Sequence, residues 1–227
     1  MVFRAGSDDA FPEEVKELLR TLHGVGFFED SVLVGSWVMS VYGELFGILY
    51  PLRTMDIDFG LELVAGGKAR RADLEQILVG LGYLPSTSQS GVQRFTRAGF
   101  TVEFLAHRRG GRDEGAVLVR AWNVTAQPLP FLDLLLKHAF WAEYGSFRVR
   151  APWPEAFFVH KLITAQRRPE GSKREKDLEQ CTAVASKLDA ERLAAVATSL
   201  RLGKETRAGI RGSCVAIGFP PHRLGLG

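Results

Sequence analysis

The chain has 227 residues, 46% of them hydrophobic and 24% charged, with a formal net charge of +3. This is an ordinary globular composition, long enough for one large domain or two small ones, and so small a charge excess is no evidence of nucleic-acid binding. Cys181 and Cys214 have no metal-binding spacing, which argues against a thiolate metal site. Because no apolar run reaches about 18 residues, we expect no membrane span. We also expect no signal peptide and a cytoplasmic protein.

In chain order, the first predicted element is a helix over residues 9–23, where apolar residues follow the helical period. A short apolar strand at residues 31–34 comes next, and a turn then leads into a helix over residues 37–48. Apolar and polar residues alternate from 55 to 61, as expected of a half-buried strand. The rest of the chain is organised around this unit of strand, turn, helix and strand.

Two features of this unit point to phosphate chemistry. Gly35 can take backbone angles that other residues avoid, and Ser36 could cap the following helix, whose N-terminus attracts phosphate. Strict alternation places Asp56 and Asp58 on one face of their strand, with Cα atoms about 7 Å apart. Two acids this close remain ionised most easily with a divalent cation between them, and hard cations prefer oxygen ligands. The sequence therefore predicts a phosphate-binding turn and a metal-binding pair of carboxylates.

Further strands follow this unit. A helix is predicted over residues 74–81, a loop over residues 85–90, and two hairpin strands over residues 92–97 and 100–105. Residues 116–124 are predicted to form another strand.

Glu103 lies on one of these hairpin strands, on the face opposite to Val102 and Phe104. A carboxylate in this place could complete a triad with Asp56 and Asp58. A basic, Gly-rich segment follows, which could hold a phosphate-bearing substrate or be a solvated loop: His107, Arg108, Arg109 and Arg112.

The C-terminal part has a different character. Residues 129–144 are apolar and are predicted to be mixed or helical, and a short strand is predicted at residues 147–150. A long helix then opens near Pro154. Ser172 and Glu175 form a capping-box pattern for a further helix. The last segment, residues 203–227, is rich in Gly, Arg and Pro, and we expect it to be poorly ordered.

The ordered set of motifs resembles a known signature. A strand, Gly-Ser, a helix, Asp-Ile-Asp and a later strand acid resemble the DNA polymerase beta-like nucleotidyltransferase superfamily. The long spacer and the Arg53-Thr54 pair before the acids resemble its branches near the abortive-infection toxins. The segments P-E-A-F-F-V-H-K-L-I and K-R-E-K-D-L-E-Q are similar to the C-terminal half of an uncharacterised branch of the same superfamily.

This resemblance implies an α/β (α+β) fold, in which a nucleotidyltransferase-type mixed sheet flanked by helices is followed by a mainly helical C-terminal region. We predict a catalytic domain at residues 1–127 and a mainly helical domain at residues 128–227.

The resemblance also implies a reaction, the transfer of a nucleoside monophosphate from a nucleoside triphosphate to an acceptor hydroxyl with release of pyrophosphate. In that reaction Asp56, Asp58 and Glu103 would bind Mg²⁺, or alternatively Mn²⁺, and Gly35 and Ser36 would hold the β- and γ-phosphates.

Lys161 and Lys176 are candidates for contacts with the triphosphate, because an ammonium group is a compact point charge. The alternative for Lys161 is an ordinary helix-surface lysine, and Asp177 is expected to pair locally. The predicted partners are a nucleoside triphosphate, an acceptor that could be a protein, a tRNA or a small molecule, and, for a toxin-type member, an antitoxin.

Two other functions are compatible with parts of the pattern. The fold could serve as a non-catalytic nucleotide-binding or regulatory module, since the spacer is long and the third acid is not fixed by the sequence. A metal-dependent phosphohydrolase ranks low, because such sites normally add histidine ligands. The chain has only five histidines, and none of them lies in an H-D pair or an H-x-x-x-H spacing.

Overall fold

The computed structural model describes residues 1–63, 71–107 and 115–226. The arginines of the predicted basic segment, at positions 108, 109 and 112, lie outside the described residues.

Helices and strands are numbered in chain order. The α-helices of the described ranges are α1 (Glu13–Gly24), α2 (Val38–Phe46), α3 (Leu74–Gly80), α4 (Leu132–Lys137), α5 (Pro154–Arg167), α6 (Ser172–Ala185), α7 (Ala190–Ser199) and α8 (Lys204–Ala216). The strands are β1 (Val2–Arg4), β2 (Ser31–Val34), β3 (Asp56–Leu61), β4 (Leu84–Thr87), β5 (Gln93–Arg97), β6 (Phe100–His107), β7 (Val117–Val119), β8 (Val124–Leu129), β9 (Ala139–Tyr144) and β10 (Phe147–Pro152).

The main sheet is mixed and contains the predicted strand unit. Its strands run in the order β2, β3, β6, β5, β4, and β8 joins β6 further along and pairs with β7. Strands β3 and β6 are parallel, whereas β2 is antiparallel to β3 and β5 is antiparallel to β6. Parallel strands need a crossover connection, and α3 lies in the chain between β3 and β6. The α/β fold with a mixed sheet and flanking helices is therefore confirmed.

A second, three-stranded sheet is formed by β1, β9 and β10. Strand β1 is parallel to β9, and β10 is antiparallel to β9. After β10 the chain is helical, with α5 packing against α4, α6, α7 and α8. The predicted boundary between residues 127 and 128 falls inside β8, and the division into two domains remains a prediction.

Apolar periodicity accounts for most of the core. In α1 the buried residues are Val15, Leu18, Leu19 and Leu22, which lie on one helical face. Strand β6 alternates strictly between buried and partly exposed positions, as a strand with one face on the core should. Helix α5 is buried over most of its surface, which explains why its sequence lacks a clear polar face.

Two predicted elements in the middle of the chain are wrong. Part of the predicted loop at residues 85–90 belongs to β4, an edge strand paired with β5. All four residues of β4 are exposed, so it carries no alternating apolar signal. The single strand predicted over residues 116–124 is instead a hairpin of β7 and β8, which turns at Asn123 with φ of 51°.

Two predictions at the C-terminus are also wrong. The segment predicted to be poorly ordered forms α8 and a 3₁₀ turn at Pro221–Leu224, anchored by buried Ile210, Cys214 and Phe219. The capping box is absent, because α6 begins at Ser172 itself and Gly171 occupies the N-cap position without a side-chain cap. Across the described residues, no helix combines the length and apolar character that a membrane crossing requires.

Candidate active site

The acids of the signature lie at the N-terminal end of β3. Asp56 is exposed, Ile57 is buried and Asp58 is partly buried, as the predicted alternation requires. In the parallel register of β3 and β6, Asp58 stands directly beside Glu103, and Asp56 stands beside Thr101. The fold thus brings acids from two separate strands to neighbouring positions on one sheet.

The glycine of the Gly-Ser turn is required by its contact with these acids. Val34 pairs with Asp58 across β2 and β3, so Gly35 emerges next to the Asp58 side chain. Gly35 has φ of 65°, and a Cβ at this position would overlap Asp58 Oδ2. Glycine is therefore required here for two reasons, its left-handed backbone and the space taken by the carboxylate.

Ser36 does not cap the following helix, so this prediction is wrong. Gly35–Trp37 form a 3₁₀ turn that runs directly into α2, which leaves Ser36 inside helical backbone instead of at an N-cap. The Ser36 side chain is buried, and its Oγ accepts a hydrogen bond of 2.9 Å from Gln180 Nε2 of α6. The turn is thereby fixed to the helical C-terminal region.

The electrostatics of the site centre on Asp58. Burial raises the pKa of Asp58 to about 6, and the negative charges of Glu103 and Asp56 contribute to that rise. Lys161 and Lys176 oppose it. The other four candidate charged residues therefore all act on the Asp58 carboxylate. A divalent cation is the kind of ligand that would relieve the repulsion between the acids.

Lys161 is buried rather than on the helix surface. Its Nζ donates to Asp177 Oδ1 at 2.6 Å, which confirms that Asp177 pairs locally. The other Asp177 oxygen accepts from Arg168 Nε at 3.0 Å and from Thr164 Oγ1 at 3.3 Å. A buried lysine with a fixed partner on a neighbouring helix has its head group held in one place.

Lys176 lies on α6 and donates from Nζ to the carbonyl oxygen of Arg53, 3.3 Å away. Burial and the nearby Lys161 ammonium lower the pKa of Lys176, and the acids Asp56, Asp58 and Asp177 act in the opposite sense. Both lysines of the prediction therefore lie within electrostatic reach of the acids.

We predict that Lys161→Met lowers the free energy of unfolding by about 1–2 kcal/mol, less than the usual loss for a broken buried pair because Arg168 and Thr164 still bind Asp177. Urea denaturation measures the change. Lys137→Met is the control, since this exposed lysine pairs with Asp133 at 2.9 Å and its loss should cost less than about 0.5 kcal/mol. Equal losses in the two variants would contradict the prediction.

Glu103 is held by an ion pair. Its Oε1 lies 2.7 Å from Arg94 Nε, directly across the β5–β6 register. Within the described residues, no three His, Cys, Asp or Glu side chains stand close enough together to hold a metal ion. The donor set that fits Mg²⁺ here is consequently the Asp56 and Asp58 pair, since Mg²⁺ is commonly bound by one or two carboxylates together with substrate phosphates.

Gln180 and Arg94 were missed by the sequence analysis. Gln180 follows Asp177 by three residues in α6, and this spacing places both on one helical face. Arg94 could have been found from the hairpin of β5 and β6, because its register sets Arg94 opposite Glu103. Neither position carries a motif of its own.

Comparison with known proteins shows the family of the chain. A family model described as nucleotidyltransferase matches residues 13–201, and the chain belongs to this family. The resemblance to nucleotidyltransferases is thus confirmed at the level of the family, while the abortive-infection branch remains a prediction. No curated protein matches the chain.

Two solved structures are similar to the chain at low sequence identity. An antigenic nucleotidyltransferase-like protein from Paracoccidioides brasiliensis is similar with a TM-score of 0.52 and 11% identity, over 94% of this chain and 93% of that chain. The antibiotic-resistance factor ANT(2'')-Ia gives a TM-score of 0.45 and 14% identity, over 90% of this chain and 95% of its own. The first of these similarities supports the fold.

Proposed function

We propose that the protein transfers a nucleoside monophosphate from a nucleoside triphosphate to an acceptor hydroxyl. The observation that carries this proposal is the position of Asp58, which lies against Gly35 of the turn and beside Glu103 of the parallel strand. Such a transfer needs a phosphate-binding turn and a pair of acids at the same end of the sheet.

In this reaction the acceptor oxygen attacks the α-phosphorus, and the bond from that phosphorus to the oxygen bridging to the β-phosphate breaks. Pyrophosphate leaves, and a carboxylate of the site takes the acceptor proton. Glu103 is suited to that step once it is released from Arg94, since it lies beside Asp58 and is only 18% exposed.

The chain's own residues supply binding and orientation. Asp56 and Asp58 would hold Mg²⁺, which when bound neutralises phosphate charge and polarises the reacting phosphorus. Lys161 and Lys176 would contact the triphosphate, and the bare backbone of Gly35 would let it approach closely.

The test combines binding and transfer. We expect the wild type to bind a non-hydrolysable α,β-methylene nucleoside triphosphate in calorimetry only when Mg²⁺ or Mn²⁺ is present. Asp56→Asn and Asp58→Asn should each weaken that binding by about a hundredfold or more, since each removes a carboxylate that would hold the metal. Both should also slow transfer of α-³²P label to protein, RNA or small-molecule fractions by about a hundredfold or more, since each removes a charge-assisted contact in the transition state.

Glu62→Gln is the matched control, because it removes a carboxylate just beyond the opposite end of β3. It should bind and transfer like the wild type. Metal-independent binding, or unchanged binding by Asp58→Asn, would rule out the proposed site.

A non-catalytic nucleotide-binding module is the second candidate. It is favoured by the Arg94–Glu103 ion pair, which occupies the third acid, and by the lack of a three-acid metal cluster in the described part of the chain. Metal-dependent nucleotide binding without label transfer to any fraction would support this alternative.

A toxin-type role would be a further specialisation of the same reaction, suggested by the resemblance to abortive-infection branches. It predicts growth arrest on expression in a host cell, relieved by Asp58→Asn. Normal growth at high expression of the wild type would argue against it.

A further inference from the structure

The structure contains two glutamine–serine pairs with the same donor and acceptor roles. Gln180 Nε2 donates to Ser36 Oγ at 2.9 Å, and Gln166 Nε2 donates to Ser213 Oγ at 2.6 Å. The Ser213 hydroxyl in turn donates a hydrogen bond of 3.0 Å to the carbonyl oxygen of Leu162. Among the described residues, the Ser36 hydroxyl accepts this one hydrogen bond from Gln180 and donates none.

This difference defines what the Ser36 hydroxyl can bind. Ser36 is only 6% exposed and Gln180 is fully buried, so the hydrogen bond between them is shielded from water. An amide NH₂ group can only donate, so it occupies one lone pair of the hydroxyl and leaves the hydroxyl hydrogen for another acceptor. A phosphate oxygen is an acceptor of this kind, and a charge-assisted hydrogen bond to it is strong.

We propose that Gln180 is a positioning residue that orients the Ser36 hydroxyl as a hydrogen-bond donor to the triphosphate of the bound nucleotide. The inference rests on the proposed function and adds to that function a role for a residue of α6. Gln180 itself need not touch the ligand, because it acts through Ser36. Ser36 follows Gly35 in the chain, and Gly35 lies against the Asp58 carboxylate.

A double-mutant cycle on nucleotide affinity tests this role, with the α,β-methylene triphosphates and Mg²⁺ as probes. Ser36→Ala and Gln180→Met should each weaken binding by roughly tenfold or more, the value of a hydrogen bond to a charged group. The double variant should bind no worse than Ser36→Ala. Gln180→Glu should bind more weakly than Gln180→Met, because its carboxylate would accept the Ser36 hydrogen and repel phosphate.

Gln166→Met is the matched control, since it breaks the equivalent pair between α5 and α8. It should leave nucleotide affinity unchanged even if thermal stability falls. A merely structural role for Gln180 would give Gln180→Met the same loss of stability and the same unchanged affinity as this control, and would overturn the inference.

Additive losses in the double variant, or full affinity in Gln180→Glu, would also overturn the inference. In those cases metal-dependent binding by the wild type and its loss in Asp58→Asn would leave the proposed function standing. Failure of the wild type itself to bind any of the α,β-methylene triphosphates would overturn both the inference and the proposed function.

Discussion

Asp58→Asn is expected to raise the free energy of unfolding of the metal-free protein at pH 7.5 by up to about 3 kcal/mol. The pKa of Asp58 is raised from 3.8 to about 6 in the folded state, mainly by burial and then by Glu103. A rise of this size is worth about 3 kcal/mol, because one pKa unit corresponds to about 1.4 kcal/mol. The ionised carboxylate thus destabilises the fold, and asparagine removes that charge while keeping the shape.

The pH dependence of this effect has a definite sign. Between about pH 4 and pH 6 the folded state binds the Asp58 proton more tightly than the unfolded state. The destabilisation by Asp58 is therefore absent below about pH 4, grows through this window and is complete above about pH 6. The difference in stability between Asp58→Asn and the wild type should follow the same course.

Urea denaturation between pH 4 and pH 8 in the presence of EDTA measures this difference. Glu62→Gln removes one negative charge from the other end of β3 and controls for net charge. If Asp58→Asn is no more stable than the wild type at pH 7.5, or keeps the same advantage at pH 4, the pKa of Asp58 is not raised in the folded state as described.

Gly35→Ala is expected to abolish metal-dependent nucleotide binding, with a loss of a hundredfold or more. An alanine must adopt φ of 65° and place its Cβ onto Asp58 Oδ2, so both the turn and the carboxylate are displaced. The left-handed backbone alone should cost roughly 1–2 kcal/mol of stability, and the overlap with Asp58 adds to it.

Gly47→Ala separates the two contributions to this effect. Gly47 also has φ of 65°, at the C-terminal end of α2, but nothing lies within 4 Å of a Cβ built there. It should lose only the backbone contribution and bind nucleotide as the wild type does. Calorimetry and thermal denaturation of the two variants make the comparison, and equal behaviour would contradict the role given to Gly35.

The sequence predicts the local part of the site well, because local patterns determine it. Alternation in β3 sets Asp56 and Asp58 on one face, and the positive φ of Gly35 agrees with the choice of glycine. The placement of Asp58 beside Glu103 depends instead on the parallel register of β3 and β6, which no local pattern specifies.

Other features could not be predicted from the sequence, and the reasons are physical. Strand β4 is an exposed edge strand, so its sequence has no alternation of apolar and polar residues that would predict a strand. Helix α8 contains Gly209 and Gly212, which lower helix propensity but let Gln166 pack against its backbone. The burial of Lys161 depends on its distant partner Asp177, so the sequence alone could not separate it from a surface lysine.

Helix α6 donates hydrogen bonds to two segments near the acids, from Lys176 to the carbonyl oxygen of Arg53 and from Gln180 to Ser36. These contacts tie the segment before β3 and the turn before α2 to a helix that comes more than a hundred positions later in the chain. A fragment ending at residue 127 would lose both attachments and sever β8 midway. The C-terminal region therefore fixes two segments of the N-terminal half, the turn at Gly35 and Ser36 and the segment before β3, and a shortened chain would release both.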